Sequence, residues 1–310
     1  MTDTAVKDTA KTELLDIRIR TQSSAVWRKV KDKMVTILVS LAFVVAIIPL
    51  ISLTITVVAN GMERFDAEFF TSSMRNVVGE GGGALHAIIG TVQITLAATV
   101  ISVPIGVMTA IYLVEYGRGR LAKAITFLVD VMTGIPSIVA GLFAFALFAL
   151  IFGPSVRMGF MGAVALSLLM IPVVVRSSEE MLRLVPNELR EASFALGVPK
   201  WLTVLRVVLP TSLAGIVTGV MLAIARVIGE TAPLLVTAGF ADSMNYNLFS
   251  ERMNTLPLFV YRSYVSQGTP PEPDISRAWA GALTLIIIVM LLNLIARIIA
   301  RFFSTNKSSR

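Results

Sequence analysis

The chain has 310 residues, 55% of them hydrophobic and only 15% charged, with a mean hydropathy of +0.79. A soluble protein of this size needs about a quarter of its residues charged to cover its surface, so this one must bury its apolar excess in lipid. The absence of cysteine excludes disulfides and thiolate chemistry, the single histidine leaves little room for a metal site or a histidine triad, and the net charge of +7 asks which side of a bilayer the basic residues occupy.

The first 33 residues are polar, mixed in charge and poor in aromatics. They are too long and too polar for the start of a signal peptide, and read as a mobile or surface-lying tail, with residues 16–33 helical at the interface. A helix needs about 20 apolar residues to cross a hydrocarbon core of about 30 Å. Six stretches qualify or come close: 34–59, 84–114, 124–152, 159–175, 211–240 and 278–296. The fourth is the shortest, and extends to Leu184 if Arg176 snorkels. Pro49, Pro104, Pro136 and Pro172 lie inside these stretches, and Gly134-Ile135-Pro136 is the sharpest break, either a kink or a moving, pore-lining element. Residues 79–83 (GEGGG) read as a loop, since no G-x-x-x-x-G-K-S/T phosphate cradle occurs in the chain. His86 reads as a surface residue, Asp130 as structural, and Glu115 and Arg176 as boundary residues. Thr133, Ser137 and Thr231 either donate to an oxyanion or, the simpler reading, satisfy nearby carbonyls.

Between the fourth and fifth stretches, residues 186–210 read PNELREASFALGVPKWLTVLRVVLP. Pro186 or Asn187 opens a short helix, Gly197 closes it at the C′ position, and Pro199 prevents continuation. Leu189, Ala192, Ser193 and Leu196 fall on one face of this helix of about nine residues. Alone it is marginal, so it needs a surface: either lipid or a groove on a partner protein.

The fifth stretch carries Arg226 about 22 Å past its start, at 1.5 Å per residue. A charge at that depth is expensive unless paired or functional. Glu230 follows four residues later, on the same face of a continuous helix. Either the two form a self-neutralising pair, or Arg226 lines an anion path. Gly229, Thr231 and Pro233 interrupt the helix, as happens where backbone lines a polar cavity. The loop 241–277 is long and rich in proline and reads as surface.

Six spans put both termini on one side. The tail, the loop after the second span, residues 176–206 and the C-terminal end together hold 20 Lys and Arg, against six in the other loops. The basic side should be cytoplasmic. The expected domains are a tail at 1–33, an all-α transmembrane domain at 34–303 with a loop at 186–210, and a tail at 304–310.

Two segments carry a family resemblance. Glu191-Ala192-Ser193, then Gly197, then Val207-Val208-Leu209-Pro210 resembles the E-A-A-x3-G-x9-I-x-L-P loop of bacterial ABC importer permeases, with Ser193 for Ala and Val207 for Ile. Residues 225–233 resemble the A-R-x-x-G-E-T-A-P segment of phosphate importer permeases. Tyr112-Leu113-Val114-Glu115-Tyr116, residues 130–143 and Leu256-Pro257-Leu258 agree, and the C-terminal end is similar to the A-type rather than the C-type subunit.

The resemblance implies a six-span, MetI-like ABC permease. Residues 188–196 would be its coupling helix, with Glu191, Ala192, Gly197, Leu189 and Leu196 engaging an ATPase. Arg226, Glu230 and Thr231 would line the substrate path, with Glu230 the partner of Arg226 that prevents trapping of the anion. The implied partners are a homologous C-type permease, two ATPase subunits, an external phosphate-binding protein and membrane lipid, with no nucleic acid. No catalytic or metal-binding residue and no bound cofactor is expected in this chain. ATP and magnesium belong to the ATPase. The alternatives are a permease for sulfate or molybdate, an ion-driven transporter or anion channel, and a membrane-bound enzyme, which lacks a nucleophile, base or metal cluster.

Overall fold

Proline and glycine decide where the apolar stretches stay straight and where they break. The computed structural model describes the backbone of residues 3–304 and the side chains of residues 27–299 and 301. Residues 305–310 of the C-terminal tail and most side chains of the tail at 1–33 therefore lie outside the described residues. Among the described residues every regular element is helical. The chain divides into two compact units, Met1–Thr56 and Val57–Arg310.

The first unit is formed by α1 (Asp3–Gly61), whose helix runs through the tail into the apolar stretch despite Pro49. Its described side chains are almost all exposed, and apolar from Met34 onward, which suits a helix facing lipid or another membrane protein. Thr36 and Thr54 donate their hydroxyls to the carbonyls of Asp32 and Leu50, so neither is left unsatisfied.

The second unit contains α2 (Ala67–Thr71), α3 (Leu85–Ile111), α4 (Gly119–Thr133), α5 (Ser137–Phe152), α6 (Gly159–Arg183), α7 (Asn187–Ala195), α8 (Lys200–Thr203), α9 (Leu209–Ile228), α10 (Ala232–Thr237), α11 (Leu256–Val265) and α12 (Glu272–Ser304). Pro104 and Pro172 stay inside α3 and α6. At Gly134-Ile135-Pro136 the third stretch does not remain one helix, and α4 and α5 meet at 109°. The residue before a proline is pushed out of helical geometry, which ends α4 two residues short of Ile135.

Helix directions follow from the contacts. Ile94 meets Gly162, Ser102 donates to the carbonyl of Ser167 at 3.4 Å, and Gly106 abuts Val174. Numbers rise together, so α3 and α6 run parallel, and α4 with α5 must return the chain between them. Phe148 of α5 packs on Phe160 at the start of α6, with 6.0 Å between centroids, which completes that return. Counted as one broken span, the bent pair raises the number of segments long and apolar enough to cross a membrane from five to six among the described residues. By contrast, α9 runs antiparallel to α6, with Gly219 against Ser177 and Gly215 against Met181.

Small residues allow these approaches. A Cβ at Gly219 would lie 2.4 Å from Ser177 Oγ, and one at Gly90 only 2.0 Å from the carbonyl oxygen of Asn254. Within lipid such packing, rather than water exclusion, holds helices together. The core it builds joins Ile94 and Ala98 of α3, Leu166 and Met170 of α6, Ala223 and Val227 of α9, and Leu234 of α10.

Two expectations change. His86 is buried, 3% exposed, with Nε2 3.3 Å from Asn254 Nδ2 and its ring edge-on to Phe259. The loop at 241–277 is not simply surface: Met253 to Phe259 is buried, the Met253 N–H donates to Ala238, and the Leu256 N–H donates to Thr91 Oγ1. Its apolar run is too short to span a membrane but long enough to enter the core.

Candidate functional site: a helix break and a short anchored helix

The fifth apolar stretch is broken. Helix α9 ends at Ile228, Gly229 N–H donates to Arg226 at 3.3 Å, and α10 restarts at Ala232 with Pro233 in its first turn. Proline suits that position because its missing N–H would be unpaired there anyway. The expected pairing of Arg226 with Glu230 is not formed. Four-residue spacing aligns side chains only while the helix continues, and Glu230 lies two residues beyond its end.

The outcome is a cluster of unsatisfied groups. Arg226 is exposed in the last turn of α9, where a cation complements the negative end of the helix dipole. Among the described residues neither its guanidinium, nor the Glu230 carboxylate, nor the Thr231 hydroxyl has an ion-pair or hydrogen-bond partner. Thr231 therefore departs from the expected carbonyl bond, whereas Thr133 makes one, to Val129 at 2.9 Å. Polar groups left open within an apolar stretch need water, an ion or a neighbouring protein.

The second break lies beside the first. Gly141 of α5 abuts Pro233 of α10, where a Cβ would sit 2.6 Å from the proline Cα. Both helices end near Met158, whose N–H donates to Thr237 while its side chain packs with Phe148. They are therefore parallel, and the Gly134–Pro136 and Gly229–Thr231 interruptions stand at adjacent starts. On α4, Asp130 pairs with Arg176 of α6, which also holds Glu179 at 2.9 Å, so Arg176 ties the bent pair to α6 rather than merely marking a boundary.

At the opposite end of α9 the short helix forms as its local signals require. Helix α7 has nine residues, and Gly197 follows it at φ +75°, with its N–H donating to Phe194 and the Val198 N–H donating to Ser193. This double bond closes the last turn and needs a left-handed residue. Glu191, Ala192, Leu189 and Gly197 are exposed, and Leu196 is 83% exposed. Ser193 is not on this free face. It is buried, 2.8 Å from the Thr203 hydroxyl. The departure from alanine at Ser193 is thus satisfied by a hydroxyl ten residues on.

The anchor of α7 was missed in the sequence. Arg190 Nη2 meets Glu115 Oε1 at 2.9 Å, with side chains only 13% and 6% exposed, and Nη1 donates to the Val185 carbonyl at 2.6 Å. Lys200 donates to the Glu115 carbonyl and lies 5.0 Å from the Tyr116 ring. Residues 112–116 and 204–208, which flank this anchor, are single π-helical turns. Such turns recur at functional positions.

Gly197→Ala tests the closure. No atom would crowd the new Cβ, so the cost is conformational, about 1–2 kcal/mol for a left-handed L-residue. Amide exchange across 187–198 should quicken about tenfold or more, and Gly197→Asn should be milder. Unchanged exchange in the alanine variant would refute the strain.

The apolar helices and their packing define a polytopic membrane protein. A family model described as binding-protein-dependent transport system inner membrane component matches residues 102–308, and the chain belongs to that family. The phosphate transport system permease protein PstA 1 of Mycobacterium tuberculosis H37Rv is 48% identical over 283 residues, covering 90% of each chain. The PstA protein of Yersinia pestis is 38% identical over 274 residues, covering 88% of this chain and 91% of its own. Among solved structures, a subunit of a bacterial alginate ABC transporter in complex with its periplasmic protein aligns with TM-score 0.62 at 14% identity, over 90% of this chain and 98% of that one. The MetNI methionine ABC transporter aligns with TM-score 0.55 at 21% identity, over 71% and 94%. At these identities the structural likeness establishes the fold.

Proposed function

We infer that this chain is the A-type permease subunit of an ATP-driven importer of inorganic phosphate. The similarity to phosphate transport permeases over nine-tenths of the chain carries this reading. The site chemistry supports it. Phosphate carries one to two negative charges near neutrality, and arginine offers a permanently charged, planar fork of donors. Arg226, with no partner among the described residues, has those donors free for a passing oxyanion, with Thr231 as a second donor. A single arginine binds strongly enough to admit the ion and weakly enough to release it. Because Glu230 stands off the helix, it tempers the field at the break rather than clamping the guanidinium.

The face bearing α7 is cytoplasmic in this reading, with both termini on it. A homologous C-type permease completes the path, two ATPase subunits holding ATP and magnesium receive the exposed face of α7, and a phosphate-binding protein delivers from outside. Closure of the ATPases draws the coupling helices together and switches access across the membrane. The transmembrane domain extends over 34–303, with the tails as appendages.

The test is ATP-dependent uptake into vesicles holding the whole complex, with labelled phosphate, sulfate and molybdate offered separately. Phosphate alone should accumulate. Accumulation of sulfate or molybdate without phosphate would assign the chain to another oxyanion, and uptake without the ATPase would make it an ion-driven carrier.

A further inference from the structure

At the end of the fold away from α7, the turn between α5 and α6 and the segment after α10 line an open groove of about 570 Å³. Its lining includes Ser155, Arg157, Ser243, Glu251 and Arg252. Arg157 Nη1 donates to the carbonyls of Val156 at 2.8 Å and Pro154 at 3.3 Å, and its guanidinium lies 4.1 Å from the Phe145 ring centroid. None of these contacts supplies negative charge. The stem of Arg252 lies along Gly239, and its guanidinium has no ion pair or hydrogen bond among the described residues. Glu251 is the single acid of the lining and pairs with neither arginine. Burial, and after it the charge of Arg252, lower the pKa of Arg157.

This shortage of negative charge is local. Elsewhere at the same end Arg64 meets Asp66 and Glu68, Arg262 is bidentate to Asp242, and Arg277 meets Asp274. The groove also has a place on the route. The Met158 N–H joins its wall to Thr237 at the end of α10, and α10 begins at the break that holds Arg226. Six residues of helix separate the two, about 9 Å at 1.5 Å per residue.

We propose that Arg157 and Arg252 form an outer vestibule that takes up a small tetrahedral oxyanion and passes it toward Arg226. This rests on the phosphate-import reading, with the α7 face cytoplasmic. Two guanidinium groups on one groove raise the local concentration of an anion, and the hydroxyls of Ser155 and Ser243 add neutral donors. Glu251, the one acid of the lining, opposes the field of the two arginines and so lowers the capture of an anion.

The experiment uses the full complex in vesicles, with binding protein loaded with labelled phosphate, and records uptake and stimulated ATP hydrolysis together. The double variant Arg157→Gln with Arg252→Gln should lose about tenfold in uptake at low ionic strength and less at high salt. The concentration of binding protein that half-stimulates ATP hydrolysis should stay unchanged. The Arg157→Lys, Arg252→Lys double variant should keep most of the uptake, and Glu251→Gln should raise it at low salt, a gain that a loosened fold would not produce. Wild-type uptake in the glutamine variant overturns the vestibule. A parallel rise in the half-stimulating concentration also overturns it, and makes these arginines a docking surface for the protein. If the wild-type complex carries no phosphate at all, the import reading itself fails.

Discussion

Arg226→Gln is expected to cut phosphate uptake by about ten- to a hundredfold while the ATPase subunits stay bound. The direction follows from what the guanidinium touches. It is exposed and has no partner among the described residues, so its removal leaves no buried orphan and should hardly disturb the fold. What is lost is the hydrogen bonding offered to a charged substrate, worth about 1.5–3 kcal/mol, and 1.4 kcal/mol is a factor of ten. Arg226→Lys should fall between the two, because it keeps the charge and loses the fork. The check is uptake alongside the ATPase recovered with the purified complex. If both fall together, Arg226 holds the fold and the path runs elsewhere.

The success of the sequence reading tracks how local each signal is. Helix α7 was legible from Pro186, Gly197 and Pro199, which act within one turn of their own positions, and its nine residues form where those breakers place them. The interruption after Arg226 was marked by Gly229 and Pro233, but its consequence was not drawn. Reading Arg226 and Glu230 as neighbours assumed a helix that the same glycine and proline end. At Gly134-Ile135-Pro136 the break was visible, whereas its 109° angle depends on how α4 and α5 separately pack against α6. Charge gave a similar division. The sum over loops carries only an expectation of orientation, with the basic side cytoplasmic. Glu115 and Arg190 are 75 residues apart, and nothing in either neighbourhood points to the other. His86 and the segment around Met253 are likewise fixed by long-range packing, and Gly90, which makes room for Asn254, shows no local reason for being glycine.

That distant pair carries the second large effect. Glu115→Gln should free the coupling helix and lower ATP-driven uptake severely, although Glu115 touches neither substrate nor ATPase. The pair is almost fully enclosed, and breaking a buried ion pair by removing one partner costs about 3–5 kcal/mol because the other charge is stranded. The stranded group here is Arg190, which joins α7 at once to Glu115 beyond the end of α3, to the carbonyl of Leu182 in the last turn of α6 and to that of Val185 just after it. Arg190→Lys should therefore fail almost as badly as Arg190→Ala. An ammonium reaches one of these acceptors as a point charge, and the guanidinium spans them in a fixed plane. Exchanging the two residues should not rescue the helix either, since a glutamate at 190 would face two carbonyl oxygens. Hydrogen exchange separates this from general unfolding: amides of 187–203 should lose protection while those in the middle of α6 keep theirs. The ATPase recovered with the complex should fall in the same variants. If Glu115→Gln retains both protection and ATPase, the exposed face of α7 is held by Ser193 and Thr203 alone, and the ion pair is a passenger in the coupling.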